Sequence, residues 1–427
     1  MNKLRIKIPS IGFWATVCAQ GIVALVFPRD YKKIVFGAWF GKQFTCNSRY
    51  FFEYCVKRGG FNCVWIGDSS LREKVLSIPG ARFAAIGSIS AYWHLLTSGF
   101  WAWNVQWRTK DTMRFPRCRR VVQLYMRHGY PDKNTGKKQF NGTGPVSNNV
   151  NVRGFKGRLY RFRDGLLDIL YGHRSWMSNS SRQGAAIALA NTPEIATPSM
   201  MVNFGTPRGD YFIHGADDCK LKAQLREKFA KLLDIPIDKK WCLFVPTWRH
   251  DPQYLFSFTT SEHLEDYEAV LKSKNMILIE KQHPLTLTSQ NIIAGKRGSM
   301  VVVSGEQALK IDTQELLMAC DRLITDYSSV YYDFVLMNRP VIHYTYDFDH
   351  FMNVDMGFNF DMREYGGGPF AYTEDELLKF MSMPDVDLLA RRNVKTMEQL
   401  EFEKGDSCEQ YYDLVMKLSK ERGYFVP

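Results

Sequence analysis

Two histidines stand where a folded chain could put them to chemical use. His128 follows the apolar run Val121 to Leu124, and His283 follows Met276 to Ile279. Both runs read as short buried strands, and the carboxyl ends of such strands are where α/β sheets hold ligands. Gly129 leaves room for close approach beside His128, and Pro284 stops the segment immediately after His283. An imidazole so placed can exchange a proton with a bound group; the plainer fate of His283 is a core histidine bonded to backbone. A second group is the turn Asp326-Tyr327-Ser328-Ser329, between the strand-like Leu323 to Thr325 and a helix carrying Tyr331, Phe334 and Val335. Hydroxyls and unpaired N–H groups at a helix start make a seat for phosphate oxygens. Read alone, Asp326 or Ser328 is a helix cap. Thr247 and Arg249 follow the buried run Cys242 to Val245, and Arg249 could fork onto two phosphate oxygens. Its plainer fate is a salt bridge within the domain.

Metal chemistry has little support. Asp347-Phe348-Asp349 and Asp385-Val386-Asp387 match a D-x-D pair, but three-residue matches are weak and solvated carboxylates explain both. No His, Asp or Glu set has metal spacing, so metal-independent catalysis without a cofactor is expected. Asp361 and Glu364 suit a phosphate poorly, which leaves hydroxyl recognition as their functional role.

The elements that must position these groups alternate. Apolar runs at Lys33 to Phe36, Cys63 to Ile66, Val121 to Leu124, Trp241 to Val245, Met276 to Ile279, Leu323 to Thr325 and Val341 to Tyr344 are separated by helical stretches such as Leu221 to Leu233. That alternation predicts an α/β fold with parallel sheets and crossover helices. A chain of 427 residues is too long for one ordinary core, so two domains are expected. Their division is placed at the Pro-containing stretch Asn191 to Pro198: residues 30–195 form a first domain and 196–385 a second. A helix over 386–427 would cross back onto the first. Residues 132–151, rich in Gly, Asn, Lys and Ser, read equally as a lid beside His128 or as disordered filler.

The formal charge of +12 calls for an acidic partner. The basic residues lie in small scattered groups, which makes specific nucleic-acid binding the weaker choice beside a polyphosphodiester or an anionic membrane. Nine cysteines without paired spacing fit a reducing compartment. At the N-terminus, Lys3, Arg5 and Lys7 precede an apolar run from Ile11 to Phe27, shorter than the roughly 20 residues of a spanning helix and broken by Thr16, Gln20 and Gly21. Residues 1–29 are therefore expected to be an amphipathic, membrane-proximal segment, with a cleaved signal peptide as the minority outcome.

Several motifs in one order resemble the CDP-glycerol glycerophosphotransferase family of teichoic-acid synthesis. Asp312 to Tyr346 is similar to its donor-binding core, and Gly357-Phe358-Asn359-Phe360-Asp361, Gly368-Pro369 and Thr373 to Leu377 to its GFYFD, PGP and T-E-E-L ending. Upstream, Pro246-Thr247-Trp248-Arg249 resembles its P-T-W-R signature, Lys281-Gln282-His283-Pro284 its R-x-H-P, and Gly205 to Asp210 its G-x-P-R-x-D. Val35 to Lys42 and Leu124 to Pro131 are fainter matches to its opening strand and to L-W-H-G-x-P. The likeness spans about residues 30 to 385.

The resemblance implies a GT-B arrangement, two Rossmann-like domains facing across a cleft. It also implies transfer of glycerol phosphate or another polyol phosphate from a CDP-activated donor to a hydroxyl of a lipid-linked saccharide or growing polymer, releasing CMP. His128 would be the general base and His283 would assist the leaving phosphate. Thr247, Arg249, Asp326, Ser328, Ser329 and Glu364 would bind the donor; Lys42 and Arg127 would lie on the acceptor side. Arg127 stands where the family has tryptophan, and Asp132-Lys133 where it has Leu-Lys, so acceptor identity stays open. A cytoplasmic donor implies a cytoplasmic enzyme, peripheral on the inner membrane face. A GT-B glycosyltransferase using a nucleotide-sugar, and a non-catalytic polyanion-binding scaffold, remain the alternatives.

Overall fold

The computed structural model describes residues 23, 26–104, 120–134, 174–192, 195–249, 251–283 and 292–424. The N-terminal segment, most of the loop expected over 132–151, and Pro284 lie largely or wholly outside them.

The described residues form a mixed α/β fold built on two mainly parallel sheets. The first has the order β3-β2-β1-β4-β5, with β1 at Asp30–Gly37, β2 at Asn62–Gly67, β3 at Arg82–Ala85, β4 at Ser98–Trp103 and β5 at Val122–Tyr125. β6 (Met177–Ser178) pairs with β7 (Met201–Val202), and a bridge from Leu124 to Trp176 ties this pair to β5. The second sheet runs β10-β11-β9-β8-β12-β13-β14. Its strands are β8 (Lys240–Val245), β9 (Met276–Lys281), β10 (Gly295–Arg297), β11 (Met300–Val303), β12 (Arg322–Thr325), β13 (Val341–Tyr344) and β14 (Phe370–Ala371). Only β10 is antiparallel to its neighbour there.

Apolar runs without alternation mark strands covered on both faces. In β8, Trp241, Leu243 and Val245 enter one core while Cys242 and Phe244 enter another. In β1, Ile34 and Phe36 face one core and Val35 the opposite one. β4 was not anticipated. Its sequence, Ser98-Gly99-Phe100-Trp101-Ala102-Trp103, is buried throughout and carries aromatics that suit either helix or strand.

The single helix expected over 386–427 is three pieces: Asp385–Ala390, a 3-10 turn at Val394–Leu400, and a helix at Ser407–Lys420. Asn393 caps the second piece through Lys395 N–H, and Gly405 with φ +82° turns the chain before the third. The carboxylate of Asp210 accepts from Ser407 N–H and Cys408 N–H at 2.9 and 2.7 Å, fixing where that last helix begins. Tyr411, Tyr412, Val415 and Leu418 then join the core of the first sheet.

Candidate active site

The carboxyl edges of the two sheets meet through loops. A Cβ placed on Gly129 would lie 2.6 Å from Ser329 Oγ, so the space opened by that glycine is filled by the opposite half of the molecule rather than left for substrate. Beside it, Asn359 N–H donates to Asp132 O at 2.8 Å and its Nδ2 to Lys133 O at 2.8 Å, lacing the loop after β5 to the loop before β14.

His128 sits in this seam. Its side chain reaches solvent, yet protein surrounds it closely enough that burial, then the charge of Arg127, pushes the imidazole down to about 4. Nδ1 lies 3.3 Å from the carbonyl of Asn104. A carbonyl only accepts, so Nδ1 carries the proton in that contact and Nε2 keeps its lone pair. The ring also rests on Trp39 at 5.1 Å between centroids. Trp39 has φ +44° and its N–H donates to Asn104 Oδ1 at 3.1 Å, so Asn104 fixes both the imidazole and the ring beneath it. Nothing in the sequence around Asn104 announced that role.

The backbone of the His128 loop is clamped from below. Asn47, in the helix Cys46–Arg58, donates to Met126 O at 2.8 Å and Arg127 O at 3.1 Å, and accepts Arg208 N–H at 3.0 Å. Arg208 is 4% exposed; its guanidinium donates to the carbonyl of His128 and, at 2.9 Å, to Asp333 in the helix Val330–Leu336. One buried cation thus ties the loop bearing His128 to the helix behind the serine turn. Arg208 lies within the Gly205–Asp210 motif, whose local sequence does not reveal this clamp.

The second sheet's groups divide. The hydroxyls of Ser328 and Ser329 are half-buried and make no hydrogen bond among the described residues, although Ser329 occupies the N-cap position. They are available to a ligand, and capping does not account for them. His283 is half-buried; burial first, then Lys281, pushes it down to about 4, with Asp326 opposing. That places its ring within the electrostatic reach of the loop after β12.

Arg249, Asp326 and Glu364 each have partners within the protein. Arg249 is 3% exposed; its Nε and Nη2 bind Asp347 at 2.7 and 3.1 Å, Nη2 pairs with Asp326 at 2.8 Å, and Nη1 donates to Thr247 O at 2.8 Å. No bidentate edge is left for phosphate. Asp326, fully buried, accepts from Thr247 N–H, Thr247 Oγ1 and Tyr327 N–H at 2.8, 2.7 and 2.5 Å. It therefore joins the loops after β8 and β12, and Thr247's hydroxyl proton is committed to it. Glu364 forms an exposed pair with Lys395 at 2.8 Å. Lys42 is an exposed residue closing the turn Trp39–Gly41, and Arg127, with φ +48°, reaches Met177 Sδ at 3.9 Å. The first aspartate of each D-x-D pair is engaged: Asp347 as above, and Asp385 with Arg322 and Lys240 at 2.5 and 2.9 Å. No three His, Cys, Asp or Glu side chains converge on a metal-sized point among the described residues.

Comparison with known proteins gives this arrangement relatives. A family model described as CDP-glycerol:poly(glycerophosphate) glycerophosphotransferase matches residues 22–417. The chain is 24% identical over 366 residues to a teichoic acid poly(glycerol phosphate) polymerase of Bacillus spizizenii, covering 83% of this chain and 84% of that one. It is 25% identical over 356 residues to a teichoic acid glycerol-phosphate transferase of Staphylococcus aureus, covering 82% and 84%. Among solved structures, the wall teichoic acid polymerase TagF superposes with a TM-score of 0.72 at 21% identity, over 96% of both chains.

Proposed function

The chain belongs to the CDP-glycerol:poly(glycerophosphate) glycerophosphotransferase family, and from that premise we propose that it transfers a polyol phosphate, glycerol phosphate first among them, from a CDP-activated donor to an acceptor hydroxyl. Nε2 of His128 takes the hydroxyl proton. The freed oxygen attacks the polyol-bearing phosphorus, the bond from that phosphorus to the bridging oxygen breaks, and CMP leaves with the electron pair. The observation that carries the reading is the seam itself: Gly129, next to the base, stands against Ser329, whose hydroxyl is uncommitted. The two sheets act as the halves of a GT-B enzyme, residues 30–195 and 196–385, with the acceptor on the His128 side and the diphosphate on the Ser329 side.

The acceptor is a hydroxyl of a lipid-linked saccharide or growing polymer, and the enzyme works against an anionic membrane face. Support comes from the charge of +12 and from the helix Ile89–Thr97, which exposes Ile89 and Trp93 at 89% and 53%. No helix among the described residues is long and apolar enough to cross a membrane. The test is nucleotide release by the purified chain supplied with CDP-glycerol, CDP-ribitol, UDP-sugars and GDP-sugars, with and without a lipid-linked acceptor. Acceptor-dependent CMP supports the reading; UDP or GDP release, or no turnover with any donor, overturns it.

A further inference from the structure

The second sheet's carboxyl edge holds a cation with no anion. Lys281 ends β9 and is 4% exposed. Ile277 and Ile279, on the same face of the strand, share a core with Phe334 and Val335 of the helix that starts beyond Ser329. Alternation along the strand therefore puts Lys281 on the face from which that helix rises. Its ammonium makes no hydrogen bond and no ion pair among the described residues. Four arginines are as deeply buried, and each has polar partners for its guanidinium: Arg29 in Leu95 O and Ser98 O, Arg208 in Asp333, Arg249 in Asp326 and Asp347, Arg322 in Asp385.

A buried ammonium without a partner is costly, which makes the one exception informative. Asp312 is the carboxylate whose charge Lys281 feels, but it is already committed to Arg49 at 3.0 Å and to Gln314 N–H at 3.0 Å. Burial thus pushes Lys281 down to about 8 despite that neighbour. Two residues further on, the imidazole of His283 feels the same ammonium, so the two side chains share one region of the edge.

We infer that Lys281 is the cation that receives the donor's diphosphate, beside His283 and the Ser328–Ser329 turn, in the role sequence had given to Arg249. The inference rests on the CDP-donor reading above. A lysine meets phosphate as a compact point charge, and the bound dianion restores the proton that burial loosens.

The experiment is calorimetric binding of CDP-glycerol and CDP-ribitol, with acceptor-dependent CMP release, on the full chain and on Lys281→Met and Lys281→Arg. Lys281→Met keeps the stem and removes the charge. It should melt no lower than wild type, since an unpaired buried charge is gone, and bind donor at least about tenfold more weakly. In wild type kcat/KM should fall as pH rises through about 8, because the ammonium is lost there; Lys281→Arg should retain donor binding and flatten that limb. If wild type turns over CDP-polyols while Lys281→Met binds them within twofold, the inference about Lys281 fails and the donor reading stands. If wild type neither binds nor turns over either CDP-polyol, both fall together.

Discussion

At the scale of single residues, the question is which side chains are free to act. His343 shows the contrast: its Nδ1 meets Asp326 O at 3.2 Å and its Nε2 accepts Gly367 N–H at 3.0 Å, so both nitrogens are spent on the core. His128 spends one and keeps the other. Replacing it with Asn should lower kcat by about 100- to 10,000-fold while donor affinity and melting temperature stay near wild type. Because its pKa is held near 4, the base is still unprotonated at pH 5, and kcat/KM should lose activity only as pH falls towards 4. An acid limb centred between 6 and 7 would count against His128 as the base. Arg249 belongs to the other class. Arg249→Met leaves Asp326 and Asp347 buried without their cation, at a cost of about 3–5 kcal/mol, and thermal melting should register it directly. A variant that keeps its melting temperature but loses donor affinity would return Arg249 to the ligand.

At the scale of elements, the loops beyond the sheet edges carry the site, and buried polar clamps set their shape. Glu403 is such a clamp: it accepts from Ser180 Oγ, Thr206 Oγ1 and Thr206 N–H at 2.5, 3.0 and 3.1 Å. No cation pairs with it among the described residues, and burial pushes its carboxyl up to about 7. A folded-state pKa above the unfolded value means the folded chain binds more protons between about 4.5 and 7, so this contribution to stability is present below 4.5 and lost as pH rises through 7. Glu403→Gln can offer an oxygen to Thr206 N–H and an amide to the two hydroxyls. Its advantage over wild type in denaturant titrations should grow from pH 4.5 to 7 and level off at up to roughly 3 kcal/mol; a constant difference across that range would refute the account. These clamps also mark where sequence reading stops. Uniform apolar runs exposed the strands, and the Ser328–Ser329 turn followed from one of them. The start of the last helix on Asp210, the function of Asn104 and the commitments of Arg249 depend on partners tens to hundreds of residues away, which no local pattern encodes. Arg49, for example, reaches Asp312 and Glu315.

At the scale of the whole molecule, the seam and the proposed membrane face have to agree. The helix Ile89–Thr97 starts beyond the carboxyl end of β3, on the same edge of the sheet as His128, and Ile86 in the connecting loop packs against Gly41 beside the Trp39 turn. Ile89, Tyr92 and Trp93 share one face of that helix, Trp93 meets Phe27 edge-on at 6.0 Å, and Val26 adds exposed apolar surface at 77%. Lys33 bonds Thr97 at the helix end, and both Lys33 and Arg82 bear on His94, so two cations lie near the C-terminal end of this helix. Exposed aromatic and aliphatic tips with cations near one end of the helix fit the headgroup boundary of an anionic bilayer, where each cation near the surface contributes about 1 kcal/mol. Flotation with phosphatidylglycerol vesicles should carry the wild-type chain, phosphatidylcholine vesicles should not, and added salt should weaken the attachment. Ile89→Glu with Trp93→Glu should abolish flotation and leave CMP release to a soluble acceptor unchanged, since neither residue touches the seam. If the double variant still floats, this face is not the attachment surface. If it sinks and also loses turnover on soluble acceptor, the helix supports the catalytic edge and not the bilayer. Attachment here would bring a lipid-linked acceptor to the His128 side of the seam, leaving the opposite sheet free to exchange CMP for new donor.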